Sequence, residues 1–443
     1  MSPTFEYGLR YQKADVFTFA GLLSLAGGVY LLIFWFAPNI APTRPTVIII
    51  VLIGLGARAM FFGSTPIFED DWYRYLWDGA VVNEGVNPYA LAPARAMNID
   101  ITGRPVPLSD DPVIAKLQKL GAAEPHYPER IGYPFISTIY PPLAQAAFAL
   151  STKISPFNLD AWRAVLLGFD IISLWILLTI LRRKNISALW AMLYWWNPIV
   201  IVTAFNAGHM DILMTPFLLG AVALAQFEKP RLAAVSLAGA IGVKLWPIIL
   251  TPVLFRALNG DIKRIAATGA VLAITTAIIM FPMAQSFYAR ESGLIAYADG
   301  WRTNAFLFYF ASEGAALIHE NGPRVLRFLI TAIVGAVALW MFFSRRAREI
   351  PLAGASSIII LFMFVIGPTS YPWYITWFVA LAPLAPSIGI ASFSVAIPMY
   401  YLRFVYTQSR TGEFFDFALT PIEFIPPILL TIWSLKRRRL WKV

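Results

Sequence analysis

The chemically densest stretch of the chain is Glu69-Asp70-Asp71-Trp72-Tyr73-Arg74-Tyr75-Leu76-Trp77-Asp78-Gly79, continuing through Gly85-Val86-Asn87-Pro88-Tyr89. A helix over 71–84 puts Asp71, Arg74 with Tyr75, and Asp78 on one stripe, because residues three and four apart share a face. Acid, cation and aromatic surface then converge. One aspartate would serve as a helix cap, but capping asks for one acid, not three, and for no aromatic density.

Three further segments carry polar groups where apolar ones would be expected. Trp196-Asn197-Pro198 is followed by Asn206-Ala207-Gly208-His209-Met210-Asp211, at the junction of two apolar runs. Polar residues there are costly unless they line a cavity or reach water, and a plain turn explains Asn206 and Gly208 better than His209 and Asp211. Gly367-Pro368-Thr369-Ser370-Tyr371-Pro372-Trp373-Tyr374 joins irregular backbone to aromatic rings, as a site or an aromatic belt would. The segment Tyr297 to Asn304, with Trp301, Arg302 and Asn304, reads equally as a site or an interfacial loop.

The elements that must position these residues follow from composition. Of 443 residues 58% are hydrophobic and 14% charged, against about 25% charged in ordinary soluble domains. The expected class is an all-α polytopic membrane protein with the bilayer as its solvent. Apolar runs occur at about 16–37, 46–62, 159–181, 187–205, 211–227, 264–282, 324–343, 351–367, 373–386, 388–404 and 418–435, which with 232–255 gives about 11–13 transmembrane helices. Cysteine is absent, so thiol chemistry and disulfides are excluded. His126, His209 and His319 are too scattered for a histidine-rich zinc site.

The net charge of +10 falls into clusters between the apolar runs: Arg182-Arg183-Lys184, Lys229 with Arg231, Arg256 with Lys263-Arg264, Arg345-Arg346 with Arg348, and Lys436-Arg437-Arg438-Arg439. The positive-inside rule makes these cytoplasmic, so the charge reports topology rather than nucleic-acid binding. The acidic and aromatic loops at 63–158, 206–210, 284–323, 368–373 and 405–417 then share the extracytoplasmic face. The run 139–152, with Tyr140-Pro141-Pro142, is too short to span and reads as an interfacial helix. The run 232–255 begins and ends beside cytoplasmic charge, which favours two half-helices broken at Gly242-Val243-Lys244-Leu245-Trp246-Pro247, with Lys244 at the tip. A kinked single span with a snorkelling lysine is the alternative. With 46–62 crossing outward, Arg10 and Lys13 fall outside, against the rule. A single transmembrane domain over 1–443, with no soluble C-terminal domain, is expected.

The motifs Asp-Asp-x-Tyr-Arg-Tyr-x-Trp-Asp-Gly, Gly-x-Asn-Pro-Tyr, Tyr-Pro-Pro-Leu-Ala, Trp-Asn-Pro with Gly-His-x-Asp, Lys-x-x-Pro and Pro-Trp-Tyr, in this order over about 46–380, resemble those of the GT-C membrane glycosyltransferases. The likeness is greatest to the bacterial polyprenol-phosphate mannosyltransferases, including the α-1,6-mannopyranosyltransferases. More distantly the chain is similar to aminoarabinose transferases and to oligosaccharyltransferase catalytic subunits. The resemblance implies an inverting enzyme of the inner (cytoplasmic) membrane that moves a sugar, mannose first, from a polyprenyl-phosphate donor to a glycan or glycolipid hydroxyl on the periplasmic or extracytoplasmic side. It matches the first-loop acid to Asp71, with Asp70 the competing register, the second acidic motif to His209 and Asp211, and the lysine of the broken helix to Lys244.

The residues agree with such chemistry. A hydroxyl attacking an anomeric carbon needs a carboxylate to take its proton, and Asp71 beside Arg74 is the candidate. A leaving phosphate needs cations, for which Lys244, Arg74 and Arg302 are available. Asp78, Tyr75, His209, Asp211, Trp301, Asn304, Tyr371, Trp373 and Tyr374 are the expected substrate-binding residues. No cofactor is expected; a divalent cation between Asp71 and Asp211 ranks second, since Lys and Arg alone can neutralise a lipid monophosphate. The rival readings are transfer of another sugar such as a pentose, and a lipid-linked sugar flippase. The flippase is disfavoured because the acids gather in one long outer loop rather than at the midplane of inverted repeats.

Overall fold

A computed structural model describes residues 13–97, 104, 107–288, 291–409 and 411–436; Arg10, the side chain of His126 and the cluster Arg437 to Arg439 lie outside them. The described regular structure is helical throughout, apart from one isolated parallel bridge between Thr303 and Thr369. By length and composition, six helices can cross a bilayer: Lys13–Asn39, Leu159–Arg183, Ile262–Phe287, Gly322–Phe343, Ile388–Thr407 and Gly412–Lys436. Ala188–Trp195 and Pro198–Asn206, bent by 51° at their junction, make a seventh if they form one broken span.

Six or seven spans thus meet this criterion among the described residues, against the about 11–13 apolar runs read from the sequence, which are also helical. The difference lies in short helices: Arg44–Ala59, Met210–Gln226, Pro230–Val243, Trp246–Leu258, Phe306–Ile318, Leu352–Ile366 and Pro372–Leu384. Prolines in the first turn account for many of these boundaries, as at Pro198, Pro216, Pro230, Pro247 and Pro372. Proline lacks the N–H that would bond backward, so it starts a helix and ends the one before it. A helix of 14 residues rises about 21 Å, short of the roughly 30 Å hydrocarbon layer.

The apolar windows of Ile262–Phe287 and Gly322–Phe343 are only 11% and 17% buried, against 61% for Ile388–Thr407, so the first two present most of their surface to lipid. Inside, Asp71–Asn83 packs against Pro142–Ile154, the helix expected over 139–152. Their approach is close enough that a Cβ at Gly79 would lie 2.3 Å from the Phe148 carbonyl oxygen. Tyr75 stacks on Phe148 beside it, ring centroids 4.8 Å apart. Deeper, Arg58 Nε meets Asp170 Oδ2 at 2.5 Å, both side chains fully buried, and Tyr194 donates to Asp170 Oδ1 at 2.6 Å. Arg58 also donates to the carbonyls of Gly54 and Trp195. A charge pair with nearly all its bonds made ties Arg44–Ala59 to Leu159–Arg183 where an unpaired charge would be prohibitive.

The run 232–255 breaks at Lys244, which is extended (φ −150°, ψ 141°) between Pro230–Val243 and Trp246–Leu250. Gly242 is packed there between Ile279 and Leu143, with no room for a Cβ.

Candidate active site

Two loops carry the acids, and a buried polar clamp fixes one against the other. Asn206 is 1% exposed; its Oδ1 accepts from the Ile67 N–H at 2.9 Å, and its Nδ2 donates to the Thr65 carbonyl at 3.0 Å and Ser64 Oγ at 3.1 Å. Arg163 adds bonds to the carbonyls of Ser64 and Asn206 and an ion pair with Asp160. Trp162 donates to the Gly208 carbonyl at 2.7 Å. Gly208 has φ +79°, and a Cβ there would stand 3.3 Å from that of Trp72, so backbone sign and space both call for glycine. The segment 64–70 leading to the acids is thereby locked to the turn leading to His209.

Asp71 begins its helix, with Tyr75 donating to Asp71 Oδ2 at 3.2 Å one turn on. His209 Nδ1 lies 3.6 Å from the same oxygen, and His209 Nε2 lies 3.5 Å from Glu69 Oε2. The imidazole is 1% exposed and stacked on Trp373, centroids 3.5 Å apart and planes 15° from parallel. The Asp71 side chain remains 40% exposed. The surrounding protein, and after it the charge of Asp70, push the Asp71 carboxyl up to about 7. Burial, reinforced by both aspartates, raises Glu69 well above the usual carboxylate range. Burial and then the charge of Lys244 drive His209 well below the ordinary histidine value. Asp70 occupies the position before the helix without a side-chain capping bond, its carboxyl beside Gly132, where an added Cβ would meet Oδ2 at 3.0 Å.

Lys244 reaches the same centre from its helix break. Its Nζ lies 2.5 Å from Asp211 Oδ1, 4.3 Å from the Tyr374 ring centroid and 4.8 Å from that of Trp377. Trp377 Nε1 donates to the same Asp211 oxygen at 2.5 Å. Trp301 donates to the Tyr371 hydroxyl at 3.1 Å, and Tyr371 stacks on Trp373, centroids 4.4 Å apart. Asp71, Tyr75, His209, Asp211, Lys244, Trp301, Tyr371, Trp373 and Tyr374 thus form one connected group.

The other expected residues stand apart from it in different ways. Asp78 is 2% exposed, with Arg74 Nε at 2.8 Å from Oδ1 and Gln145 Nε2 at 3.1 Å from Oδ2. Arg74 spends a second nitrogen on the Ile136 carbonyl and keeps Nη2 buried without a protein partner. Arg302 pairs with Glu313 at 2.7 Å and lies over Tyr309. Asn304, at φ +51°, is fully buried between the Ser370 carbonyl and Glu423. Among the described residues, no three His, Asp or Glu side chains are arranged to hold a metal ion.

Sequence reasoning passed over Glu69 and Trp377 as site residues. Glu69 heads the acidic triplet, and Trp377 lies four residues after Trp373, a helical spacing that was available as a signal. Tyr133 also joins the group, its ring 4.2 Å from that of Trp301. Nothing local marks it.

Residues 138–368, just over half of the chain, match the family described as Glycosyltransferase family 87. The chain belongs to that family. It is also 25% identical over 347 residues, 73% of its length, to the alpha-(1->6)-mannopyranosyltransferase A of Mycobacterium tuberculosis (strain ATCC 25618 / H37Rv). It spans 62% of the length of that relative. No solved structure matches. The matched region contains His209, Asp211, Lys244 and, at its end, the turn before Tyr371, whereas the Asp71 helix precedes it. The resemblance to GT-C enzymes read from the motifs agrees with this membership.

Proposed function

We propose that this chain transfers a sugar, mannose first among candidates, from a polyprenyl-phosphate donor to an acceptor hydroxyl at the extracytoplasmic face of the membrane, with inversion at the anomeric carbon. The observation that carries the reading is the Asp71 carboxyl: partly open, lifted to about 7, and surrounded by Tyr75, His209 and the Lys244–Asp211 pair. A base poised near neutral pH takes a proton from an attacking hydroxyl most effectively.

In the step proposed, the acceptor oxygen bonds to the anomeric carbon as its proton passes to Asp71, while the bond from that carbon to the phosphate oxygen breaks. Polyprenyl phosphate leaves as the anion. Lys244 is the cation offered to it. Trp301 and Tyr371, joined by a hydrogen bond, are the aromatic residues proposed to meet the sugar. Family membership supports glycosyl transfer, and the likeness to a mycobacterial mannopyranosyltransferase supports mannose.

The test is incubation of the purified chain in liposomes with a panel of polyprenyl-phosphate sugars and a glycolipid acceptor. Consumption of the mannose donor with release of polyprenyl phosphate is expected. Consumption of a pentose donor alone would replace the sugar, and movement of lipid-linked sugar across the bilayer without consumption would replace transfer by flipping.

A further inference from the structure

Glu69 is the acid that the transfer reading leaves without a task. It is 8% exposed, its Oε1 has no hydrogen-bond partner among the described residues, and its Oε2 lies 3.5 Å from His209 Nε2. The imidazole has one nitrogen toward each of two carboxyls, and neither nitrogen has another partner. Stacking on Trp373 fixes the plane of the ring. Both separations exceed hydrogen-bond length, so neither bond is made in this structure; catalytic hydrogen bonds are often long until substrate closes the site.

We propose that Glu69 is a positioning residue for the transfer: through the His209 ring it decides which nitrogen carries the proton, and so whether Asp71 is oriented by a hydrogen bond. The proposal rests on the reading of Asp71 as the base.

A neutral imidazole holds one proton. When Glu69 is protonated, its O–H donates to Nε2, and Nδ1–H donates to the Asp71 carboxylate and aims it. When Glu69 is ionised, it claims the proton on Nε2, and the Nδ1 lone pair is turned to the Asp71 carboxylate, which it repels. The groups facing Glu69 are Asp70 and Asp71 from its own segment, His209, and the Tyr400 and Tyr401 hydroxyls, with Arg403 beyond Tyr400. Asp71 is faced in turn by Tyr75, Lys244 and Asp211. Burial and the two aspartates hold the Glu69 proton, and burial beside Lys244 keeps the imidazole neutral. The protonated-Glu69 arrangement, which burial favours, is therefore the competent one. Activity rises as Asp71 ionises near pH 7 and falls as Glu69 ionises at higher pH.

The experiment is the pH profile of transfer in proteoliposomes for the native chain, Glu69→Gln, Glu69→Ala and Asp71→Asn. The glutamine amide donates to Nε2 as the protonated acid does but never ionises. Glu69→Gln is expected to keep kcat within about threefold of native at neutral pH and to lose the alkaline fall. Glu69→Ala is expected to lower kcat about tenfold with the donor KM unchanged. An alkaline limb retained in Glu69→Gln, the absence of that limb in the native chain, or a loss in Glu69→Gln as large as in Glu69→Ala would each overturn the role of Glu69. A fully active Asp71→Asn would instead overturn the base assignment. An inactive Asp71→Asn beside an unaltered profile in Glu69→Gln would remove the positioning role alone.

Discussion

Lys244→Ala separates two tasks that one ammonium group is positioned to perform: neutralising Asp211 and meeting the donor phosphate. The Lys244 and Asp211 side chains are 18% and 3% exposed, and their charged atoms lie 2.5 Å apart. Without the ammonium, the Asp211 carboxylate keeps only the Trp377 N–H, since its Oδ2 has no partner. Breaking a buried pair from one side costs about 3–5 kcal/mol. Lost contact with the Tyr374 and Trp377 rings adds about 0.5–2 kcal/mol. Adding Asp211→Asn removes the stranded charge, so the double variant should recover about 2–3 kcal/mol relative to additivity. Unfolding midpoints of the four proteins in detergent measure this part. Donor titrations of the transfer rate measure the other part. Loss of a charge-assisted contact to the phosphate, worth about 2–4 kcal/mol in the transition state, lowers kcat/KM roughly 30- to 1,000-fold. The double variant should regain stability without regaining donor use. Native donor use in the double variant would confine Lys244 to holding Asp211. A Lys244→Ala protein as stable and active as one changed at the exposed Lys229 would refute the energetics of the pair as well.

Asp71→Asn should fold, because asparagine preserves the size and polarity of the helix start, yet lose about 10²–10⁴-fold in rate with donor binding retained; Asp70→Asn, at the residue beside Gly132, should lose less, and the reverse order would shift the base by one position. Asn206→Ala strands the buried Ile67 N–H and two further partners, and should cost about 2–3 kcal/mol in an unfolding measurement. Asn206→Asp, which keeps the acceptor for Ile67, should recover part of that loss. A single cysteine replacing the exposed Ala123 should react with an impermeant reagent from outside, and one replacing Lys184 only after the inner face is opened; the opposite pattern would invert the topology.

What could be read in the sequence was whatever depends on neighbours along the chain. The run read at 159–181 is the helix Leu159–Arg183, because a long apolar stretch closed by basic residues has no competing conformation in lipid. The Arg74–Asp78 pair was visible for the same reason, since helical geometry alone brings positions i and i+4 together. The helix boundaries within the apolar runs were less legible, because a hydropathy window counts apolar residues and is blind to where proline ends the hydrogen-bond ladder. The structure brings His209, Asp211 and Lys244 into one region, but their pairing was not legible in the sequence. That Lys244 would meet Asp211, 33 residues away, depends on how two short helices dock. The task of Glu69 was hidden in the same way, because it is set by a ring 140 positions downstream whose plane is held by Trp373.

The short helices that confound the span count are also what builds the site. A continuous span satisfies its own backbone and offers only side chains to its neighbours, whereas a helix that stops early must find partners for its last carbonyls and its next residues. Each stop here delivers a polar group to one place. The chain after Pro198–Asn206 supplies His209 and Asp211, the break after Pro230–Val243 supplies Lys244, and the restart at Pro372–Leu384 supplies Tyr371 just before it and the rings of Trp373, Tyr374 and Trp377 within it. Exposed to lipid, these interruptions would each cost several kcal/mol in unmet hydrogen bonds. They are tolerated because they meet each other: Asp211 takes both Lys244 and Trp377, Asn206 takes the backbone of 65–67, and Trp162 closes on Gly208. The polar groups left over at this meeting point, Glu69, His209 and the open edge of Asp71, are then those whose hydrogen bonding substrate and protons are free to complete.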